Sequence, residues 1–483
     1  MNAARPRQGP PVSVAILSHR RPNLLRRVIT ALSQLDYTNF EIVVVGDQPS
    51  VDDYGLSPDH AAAIRYVAFS DPNICKARNL AIEASGGDII AFCDDDAVPE
   101  PDWLRRLVAP FADPSVATVA GAVRGRDGLT LEWAGGWFDR TGRETCANLS
   151  VDGVPVSAEQ QNTKDRFLSL IGTNIAFRRD AIVQIGGFDQ AIRYFLDETD
   201  VALRLAEAGW SAVFAARAEV HHLREQNDAR SALRVPRNLF EIAASKAYFC
   251  ARHLPAGQID EALARFTKDK RAELDPYLRL GVLRSAQLGD LMNQIENGLK
   301  DGMERQADLP LSGRECPPFT PFPARTDRLS IALRTGWGPV AIRQARRFAR
   351  ALSAAGHTVS CFSYFSGFHG PKIAFSNGIW LHGGGTWRLD RFNGRLPVLR
   401  RAARAAADIA RINGRRRFDL VLEPAANGHR AGDVWVPPGG TFSLRAQAMP
   451  AAGREQADLI RLLEDSLTNS NPIHAEKRPE SGE

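Results

Sequence analysis

The stretch Asp88-Ile89-Ile90-Ala91-Phe92-Cys93-Asp94-Asp95-Asp96-Ala97-Val98-Pro99-Glu100-Pro101-Asp102-Trp103 joins a short, unbroken apolar run to three consecutive carboxylates. An apolar run without alternation is the pattern of a strand buried on both faces, as in a parallel sheet covered by helices. Three adjacent carboxylates at its end repel one another and lose hydration, so they call for a compensating cation. Oxygen ligands suit a hard divalent ion, Mg²⁺ or Mn²⁺, and Mg²⁺ usually binds through one or two carboxylates plus substrate phosphates. The competing reading is a solvated acidic turn capping a helix that begins near Pro101. The buried strand before it weighs against that.

Reading toward the N-terminus, strands and helices alternate. Val12–Leu17 is an apolar strand ending at Ser18, and Pro22 opens a helix that runs to about Ser33. Phe40–Val45 is a β-branched strand ending at Gly46-Asp47. Ile64–Phe69 is a third strand, and Ile74–Ala84 is a helix stopped by Gly86-Gly87. This alternation predicts a parallel α/β sheet, whose ligands gather at the carboxyl ends of the strands. Three such ends carry polar residues: Ser18-His19-Arg20-Arg21, Gly46-Asp47-Gln48 and Asp94-Asp95-Asp96.

Toward the C-terminus the chain divides further. Residues 11–230 read as the first α/β domain, 231–309 as a helical extension, and the proline-rich 310–324 as a linker. Residues 325–460 read as a second, smaller Rossmann-like α/β domain, and 466–483 as a polar, disordered tail. In the second domain Leu329–Leu333, Thr358–Ser363 and Phe418–Leu422 are strands, while Val340–Ala355 and Leu396–Ile412 are basic helices.

Composition sets the outer bounds. A chain of 483 residues with 44% hydrophobic and 24% charged residues is neither disordered nor collagen-like. No apolar stretch reaches the length of a membrane span, and the N-terminus has no apolar signal core. The six cysteines, Cys75, Cys93, Cys146, Cys250, Cys316 and Cys361, include no Cys-x-x-Cys pair. The expectation is a cytoplasmic protein. The net charge of +5 conceals a basic stretch, 321–450, balanced by an acidic remainder. The helices bearing Arg343-Arg346-Arg347-Arg350 and Arg400-Arg401-Arg404-Arg411 offer a peripheral contact for anionic membrane or glycan, or else a solvated face. No nucleic-acid motif accompanies them.

From Pro11 to about Pro255 the chain resembles the family 2 glycosyltransferases, inverting enzymes with the fold called GT-A. Six pieces carry the resemblance in the family's order: Val12–Pro22, Phe40–Asp47, Lys76-Ala77-Arg78-Asn79, Phe92–Asp96, Gly172–Arg179 with Ile185–Asp189, and Asp197-Glu198-Thr199-Asp200-Val201-Ala202-Leu203-Arg204. The resemblance implies a nucleotide-diphosphate sugar as donor, bound by Ser18, Arg21, Asp47, Lys76, Arg78, Asn79, Asp94 and Asp95. It implies a divalent metal on Asp94 and Asp96, completed by a late histidine, His221 or His222. Gly172, Thr173 and Asn174 fall on the acceptor side. The acidic cluster supplies the base that takes the acceptor proton. The family has Glu-Asp with the second residue as base, where this chain has Asp-Glu. Glu198 is therefore the first candidate and Asp197 the second. Asp200, the third acidic residue, is equally read as a helix cap.

Processive-synthase motifs and flanking membrane helices are absent, which favours transfer of one sugar to a glycan, lipid-linked or small-molecule acceptor. Residues 325–460, through their strand, glycine-bearing loop, basic helix and Leu352–Val359, resemble the first half of a GT-B glycosyltransferase without its nucleotide-binding half. Gly383-Gly384-Gly385 reads as a phosphate cradle or a plain turn. Two alternatives stand beside this reading. A nucleotidyltransferase would carry a glycine in the loop after strand one, which Ser18–Pro22 lacks. The other is a non-catalytic scaffold that binds an anionic partner through its basic second domain.

Overall fold

The computed structural model describes residues 9–46, 58–145, 166–223, 235–311, 313, 315–323, 328–336, 338–386, 401–424, 433–435, 443–449 and 456–469. Among these residues nine strands build the first sheet: β1 (Val12–Ser18), β2 (Phe40–Gly46), β3 (Ile64–Ala68), β4 (Ile89–Cys93), β5 (Ala97–Pro99), β6 (Val116–Arg124), β7 (Leu131–Trp133), β11 (Asn174–Arg178) and β12 (Ser211–His222). A small second sheet is formed by β8 (Trp137–Asp139), β9 (Glu144–Thr145) and β10 (Arg166–Leu168).

The first sheet runs β3-β2-β1-β4-β11-β6-β12-β5, with β7 added beside β6. Pairings β1–β2, β2–β3 and β1–β4 are parallel, as the alternating pattern predicted. The sheet as a whole is mixed. Strand β11 lies antiparallel to both β4 and β6, and β5 lies antiparallel to β12. The reason β1, β2 and β4 read as apolar runs is burial on both faces. One face packs on helices α3 (Ile74–Ala84) and α6 (Asp197–Glu207) around Phe92, Phe177 and Phe188. The other packs on α1 (Pro22–Leu32) and α4 (Trp103–Val108) around Ile16, Val44 and Trp103. Pro22 opens α1, and the Asn73 side chain accepts from Lys76 N at 3.0 Å to cap α3. Short helices α2 (Pro58–Ala62) and α5 (Arg179–Gln184) complete the unit.

The predicted helical extension is α7 (Phe240–His253), α8 (Ala256–Arg279) and α9 (Ser285–Glu304). Gly298 and Gly302 of α9 face the α7 backbone at Phe240 and Ala244, where a side chain would collide with carbonyl oxygens. Two glycines one turn apart thus let the two helices approach closely.

The segment read as a linker is a packed strap. Thr320 N donates to Glu41 Oε2 at 2.9 Å, Phe322 N to Phe40 O at 2.7 Å, and the Phe322 ring is buried beside Phe40. Beyond it, the second large sheet holds β13 (Ser330–Arg334), β14 (Thr358–Phe365), β15 (Lys372–Ser376), β16 (Ile379–Gly385), β17 (Leu420–Pro424), β18 (Asp433–Trp435) and β19 (Ser443–Ala448) in the order β15-β16-β14-β13-β17-β19-β18. Its central pairings are parallel. Helices α10 (Gly338–Ala354) and α12 (Gln456–Asn469) cover one face and α11 (Arg401–Arg416) the other. Helix α12 runs four residues into the segment expected to be a tail; residues 470–483 lie outside the described ones. Gly383-Gly384-Gly385 is neither cradle nor turn but the end of β16. Gly385 N donates to His369 O at 2.9 Å, and the backbone at Gly367 lies too close for a side chain.

Candidate active site

The metal candidates meet because of how β5 leaves β4. After Asp94–Asp96 the chain turns back and pairs with the end of β12, setting Ala97 opposite His222 and Val98 opposite His221. Ligand atoms of Asp94, Asp96 and His222 then lie within 4.8 Å of one another. His222 Nε2 is 3.2 Å from Asp96 Oδ1, and its Nδ1 is 3.7 Å from Glu132 Oε2 on β7. Burial works against charge on His222, but bonds to Asp96 and Glu132 outweigh it and raise the imidazolium to about 9. Burial raises Asp94 as well. A buried knot of carboxylates holding a proton on histidine is a site where a divalent cation can take that proton's place.

Successive strand residues point to opposite faces, so His221 turns away. Its Nε2 lies 2.8 Å from Glu100 Oε1, and its ring packs at a tilt on Trp380, centroids 5.1 Å apart. Of the two histidines, His222 is the one gathered with the aspartates.

Asp95 faces the nucleotide-pocket candidates. It accepts from Ser18 Oγ at 2.9 Å and Arg21 Nη1 at 3.1 Å, and burial lifts its carboxyl to about 7. Asp47 lies outside the described residues; β2 delivers the chain to Gly46, one residue before it.

A second cluster forms around Arg78. Its guanidinium is buried 5.1 Å from the Phe188 centroid and 5.8 Å from that of Phe92. It donates Nη1 to Asp197 and Nη2 to Glu198 Oε1, the latter at 2.8 Å. Burial opposes ionisation of both acids. At Glu198 the Arg78 charge and a hydrogen bond to Asp197 prevail and hold the carboxyl below its ordinary value, whereas Asp197 is pushed up. Of the two, Glu198 is the one whose ionised form is favoured, and it is also the more exposed at 19% against 5% for Asp197. Gly172 sits where any side chain would overlap Arg78 Nη2 and Glu198 Oε1. Its neighbour Thr173 lies beside Asp94, and the Arg78 charge acts on Asp94 too. The Gly172-Thr173 step therefore sets the acidic helix start against the metal cluster.

Other candidates serve the scaffold. Asn79 clamps the Phe188 backbone through Nδ2 to the carbonyl at 2.7 Å and Oδ1 to the amide at 2.9 Å, which fixes the ring under Arg78. Asn174 donates to Ala122 O and Ala218 O, both at 2.9 Å, and accepts from Trp103 Nε1 at 2.8 Å. Asp200 is fully buried between Arg204 Nε and His253 Nε2, each at 2.8 Å, so its carboxylate holds α6 to α7 rather than joining Glu198. Lys76 is exposed, 3.2 Å from Asp71. Glu132 and Glu100 went unread in the sequence. Neither sits in a recognisable pattern, and both gain meaning only through pairing with His222 and His221.

Residues 13–186 match the profile of glycosyl transferase family 2. That stretch holds β1, Arg78, Asp94–Asp96 and Gly172-Thr173 in the arrangement just described. Residues 13–186 are a family 2 glycosyltransferase domain. The fold is GT-A.

The family 2 domain has curated relatives. Succinoglycan biosynthesis protein ExoM of Rhizobium meliloti is 32% identical over 125 residues, 25% of this chain and 40% of that protein. The glucosyl-dolichyl phosphate glucuronosyltransferase of Haloferax volcanii is 24% identical over 225 residues, 44% of this chain and 68% of the relative. The chain thus spans well under two thirds of the first of these proteins. Among solved structures, a mannosyltransferase of Pyrobaculum calidifontis in complex with GDP-Man and Mn²⁺ aligns at 17% identity and a TM-score of 0.37, covering 62% of this chain and 89% of that one. The fold assignment rests on the family match and the strand order, not on that score. Among the described residues no helix is long and apolar enough to cross a membrane.

Proposed function

We propose that the chain is a metal-dependent, inverting glycosyltransferase that moves one sugar from a nucleotide-diphosphate donor to a hydroxyl of a glycan, lipid-linked or small-molecule acceptor. One observation carries the reading: a partly exposed Glu198, bonded to Arg78, stands one dipeptide away from the Asp94, Asp96 and His222 cluster. Donor chemistry and acceptor deprotonation need those two features side by side.

The oxygen, oxygen and nitrogen donor set suits Mg²⁺ or Mn²⁺. Bound to Asp94, Asp96 and His222, such an ion would neutralise charge on a departing diphosphate. The chain's own groups do the rest. Ser18 and Arg21, tied to Asp95, line the nucleotide end of the site, with Asp47 expected to join them. Glu198 Oε accepts the proton of the acceptor hydroxyl as that oxygen attacks the anomeric carbon. Attack from the face opposite the leaving group inverts the centre. Arg78 orients Glu198 and keeps it ionised. Gly172 and Thr173 are the residues of this reading that lie on the acceptor side, between Glu198 and Asp94.

Donor identity is found by thermal-shift screening of UDP, GDP and dTDP sugars with Mn²⁺. With the stabilising donor, Asp96→Ala is expected to abolish metal-dependent binding in calorimetry and to abolish turnover; undiminished donor affinity removes the metal site. Glu198→Gln is expected to keep donor binding and to lower turnover by roughly 10²-fold or more. If Asp197→Asn does this and Glu198→Gln does not, the base is Asp197. Release of pyrophosphate in place of nucleoside diphosphate would identify a nucleotidyltransferase instead.

A further inference from the structure

The β5–β12 pair that carries Asp96 and His222 has a second face, and the C-terminal α/β unit stands on it. At the end of this pair Glu100 N donates to Glu219 O at 3.0 Å, so the two glutamates sit side by side on adjacent strands. Both are buried, at 3% and 0% exposure. Consecutive arginines at the end of α11 reach them. Arg416 donates Nε to Glu100 Oε2 at 2.9 Å and Nη2 to Glu100 Oε1 at 2.8 Å, a bidentate pair. Arg415 Nη1 donates to Glu219 Oε2 at 2.7 Å, and Glu219 also accepts from Arg124 of β6.

The remaining Arg416 donor is satisfied within the second unit, by Ser360 Oγ at 2.8 Å and His382 Nε2 at 2.7 Å. Burial, then the neighbouring Arg416 charge, keeps His382 neutral and able to accept. The guanidinium lies 4.0 Å from the Trp380 centroid, and Trp380 packs with Phe375 against Val98 of β5 and Ala31 of α1. Further contacts join the units, among them Gln34 Nε2 to Gly378 O at 2.6 Å.

Accepting the metal-site reading above, we propose that the second α/β unit is a buttress of that centre: Arg416 and Arg415 grip Glu100 and Glu219, fix the β5–β12 register, and thereby set the spacing of Asp96 and His222. Arg416 is a positioning residue. It touches neither ligand but grips Glu100, four residues after Asp96, while Arg415 holds Glu219, three residues before His222. Groups that orient metal ligands from behind typically change metal affinity by about 10- to 100-fold when removed.

The test uses the full chain and Mn²⁺ alone, titrated by electron paramagnetic resonance, with hydrogen exchange read at the backbone amides of Ala97–Val98 and His221–His222. Arg416→Leu is expected to weaken Mn²⁺ by about 10- to 100-fold and to speed exchange at those amides. Arg416→Lys should recover part of both. Arg350→Gln, an exposed arginine of α10, should change neither. If Arg416→Leu does not fold, Arg415→Met, at the less buried end of the grip, should produce the same two changes in smaller measure. Unchanged Mn²⁺ affinity and unchanged exchange in a folded variant overturn the buttress, even where Asp96→Ala abolishes Mn²⁺ binding and the metal site stands. Should the wild-type protein bind no Mn²⁺, the metal reading falls by itself. Exchange then judges the grip: faster amides in Arg416→Leu uphold it, unchanged ones overturn it.

Discussion

Gly172→Ala isolates the contact between Arg78 and Glu198 without touching either residue. The added methyl overlaps Arg78 Nη2 and Glu198 Oε1 at once, so the 2.8 Å bond between them cannot survive. Both atoms are side-chain ends, but Arg78 is held by Asp197 and by the Phe92 and Phe188 rings, which leaves Glu198 as the group that moves. A hydrogen bond between charged groups contributes about 1.5–3 kcal/mol. If that interaction is used in the transition state, kcat falls by roughly 10- to 100-fold, because each 1.4 kcal/mol is about tenfold. The pH profile moves too. In the wild-type protein Arg78 overcomes burial and keeps the Glu198 carboxyl low. With Glu198 pushed away from Arg78, burial prevails and the carboxyl rises. Since the base acts ionised, activity is lost as pH falls through that value. The acid limb of kcat/KM therefore shifts to higher pH, as a property of the coupled Asp197–Glu198 pair. Nucleoside diphosphate release measured across pH with the stabilising donor reads both effects. A folded Gly172→Ala protein with wild-type kcat and an unmoved acid limb refutes the assignment of Arg78 as the group that tunes the base.

Two further outcomes follow from the geometry. His222→Ala is expected to weaken Mn²⁺ binding by at least tenfold in calorimetry, while His221→Ala perturbs the contact with Glu100 and Trp380 and weakens it less; the reverse ranking would exchange their roles. Asn174→Ala orphans two buried carbonyls and the Trp103 indole N–H. It should lower unfolding free energy by about 3 kcal/mol or more, at roughly 1–3 kcal/mol per orphaned group, read by chemical denaturation.

Local order was legible in the sequence where burial is two-sided and helix ends are capped. The apolar runs of β1, β2 and β4, the Pro22 start of α1 and the Gly86-Gly87 stop after α3 placed Asp94–Asp96 at a strand end and Arg78 on a helix. Strand direction was not legible. Nothing local to Asn174–Arg178 states that it pairs antiparallel with β4, because partner choice depends on residues far away. In the sequence the apolar pattern of β12 extends only from Ser211 to Ala215, because Arg217 and Glu219 interrupt it. In the structure Glu219 is buried and paired with Arg124 and Arg415, so the strand continues to His222. With the longer strand, alternation separates His221 from His222. The arginines of α11 misled in the same way. Arg404, expected on an open face, is buried and bonded to Asp408 at 3.0 Å, and Arg411 is held by Asp408 at 3.3 Å. Of the arginines expected on these two helices, Arg343, Arg347 and Arg350 of α10 and Arg411 of α11 are exposed among the described residues, and Arg400 lies outside them. Buried arginine and solvated arginine look alike until the partner carboxylate is found.

Phe195 and Leu196, directly before Asp197, both hold left-handed backbone angles, with φ of 79° and 65°. Such conformations disfavour bulky side chains by roughly 1 kcal/mol or more each, so surrounding matter must clamp them. Leu196 is buried in the first core, while Phe195 touches the helical extension and carries Lys270 of α8 at 5.8 Å from its ring. The three-helix appendage consequently works as a vice on the first turn of α6. The direction in which Glu198 leaves the chain is thus set partly by helices far from it in sequence.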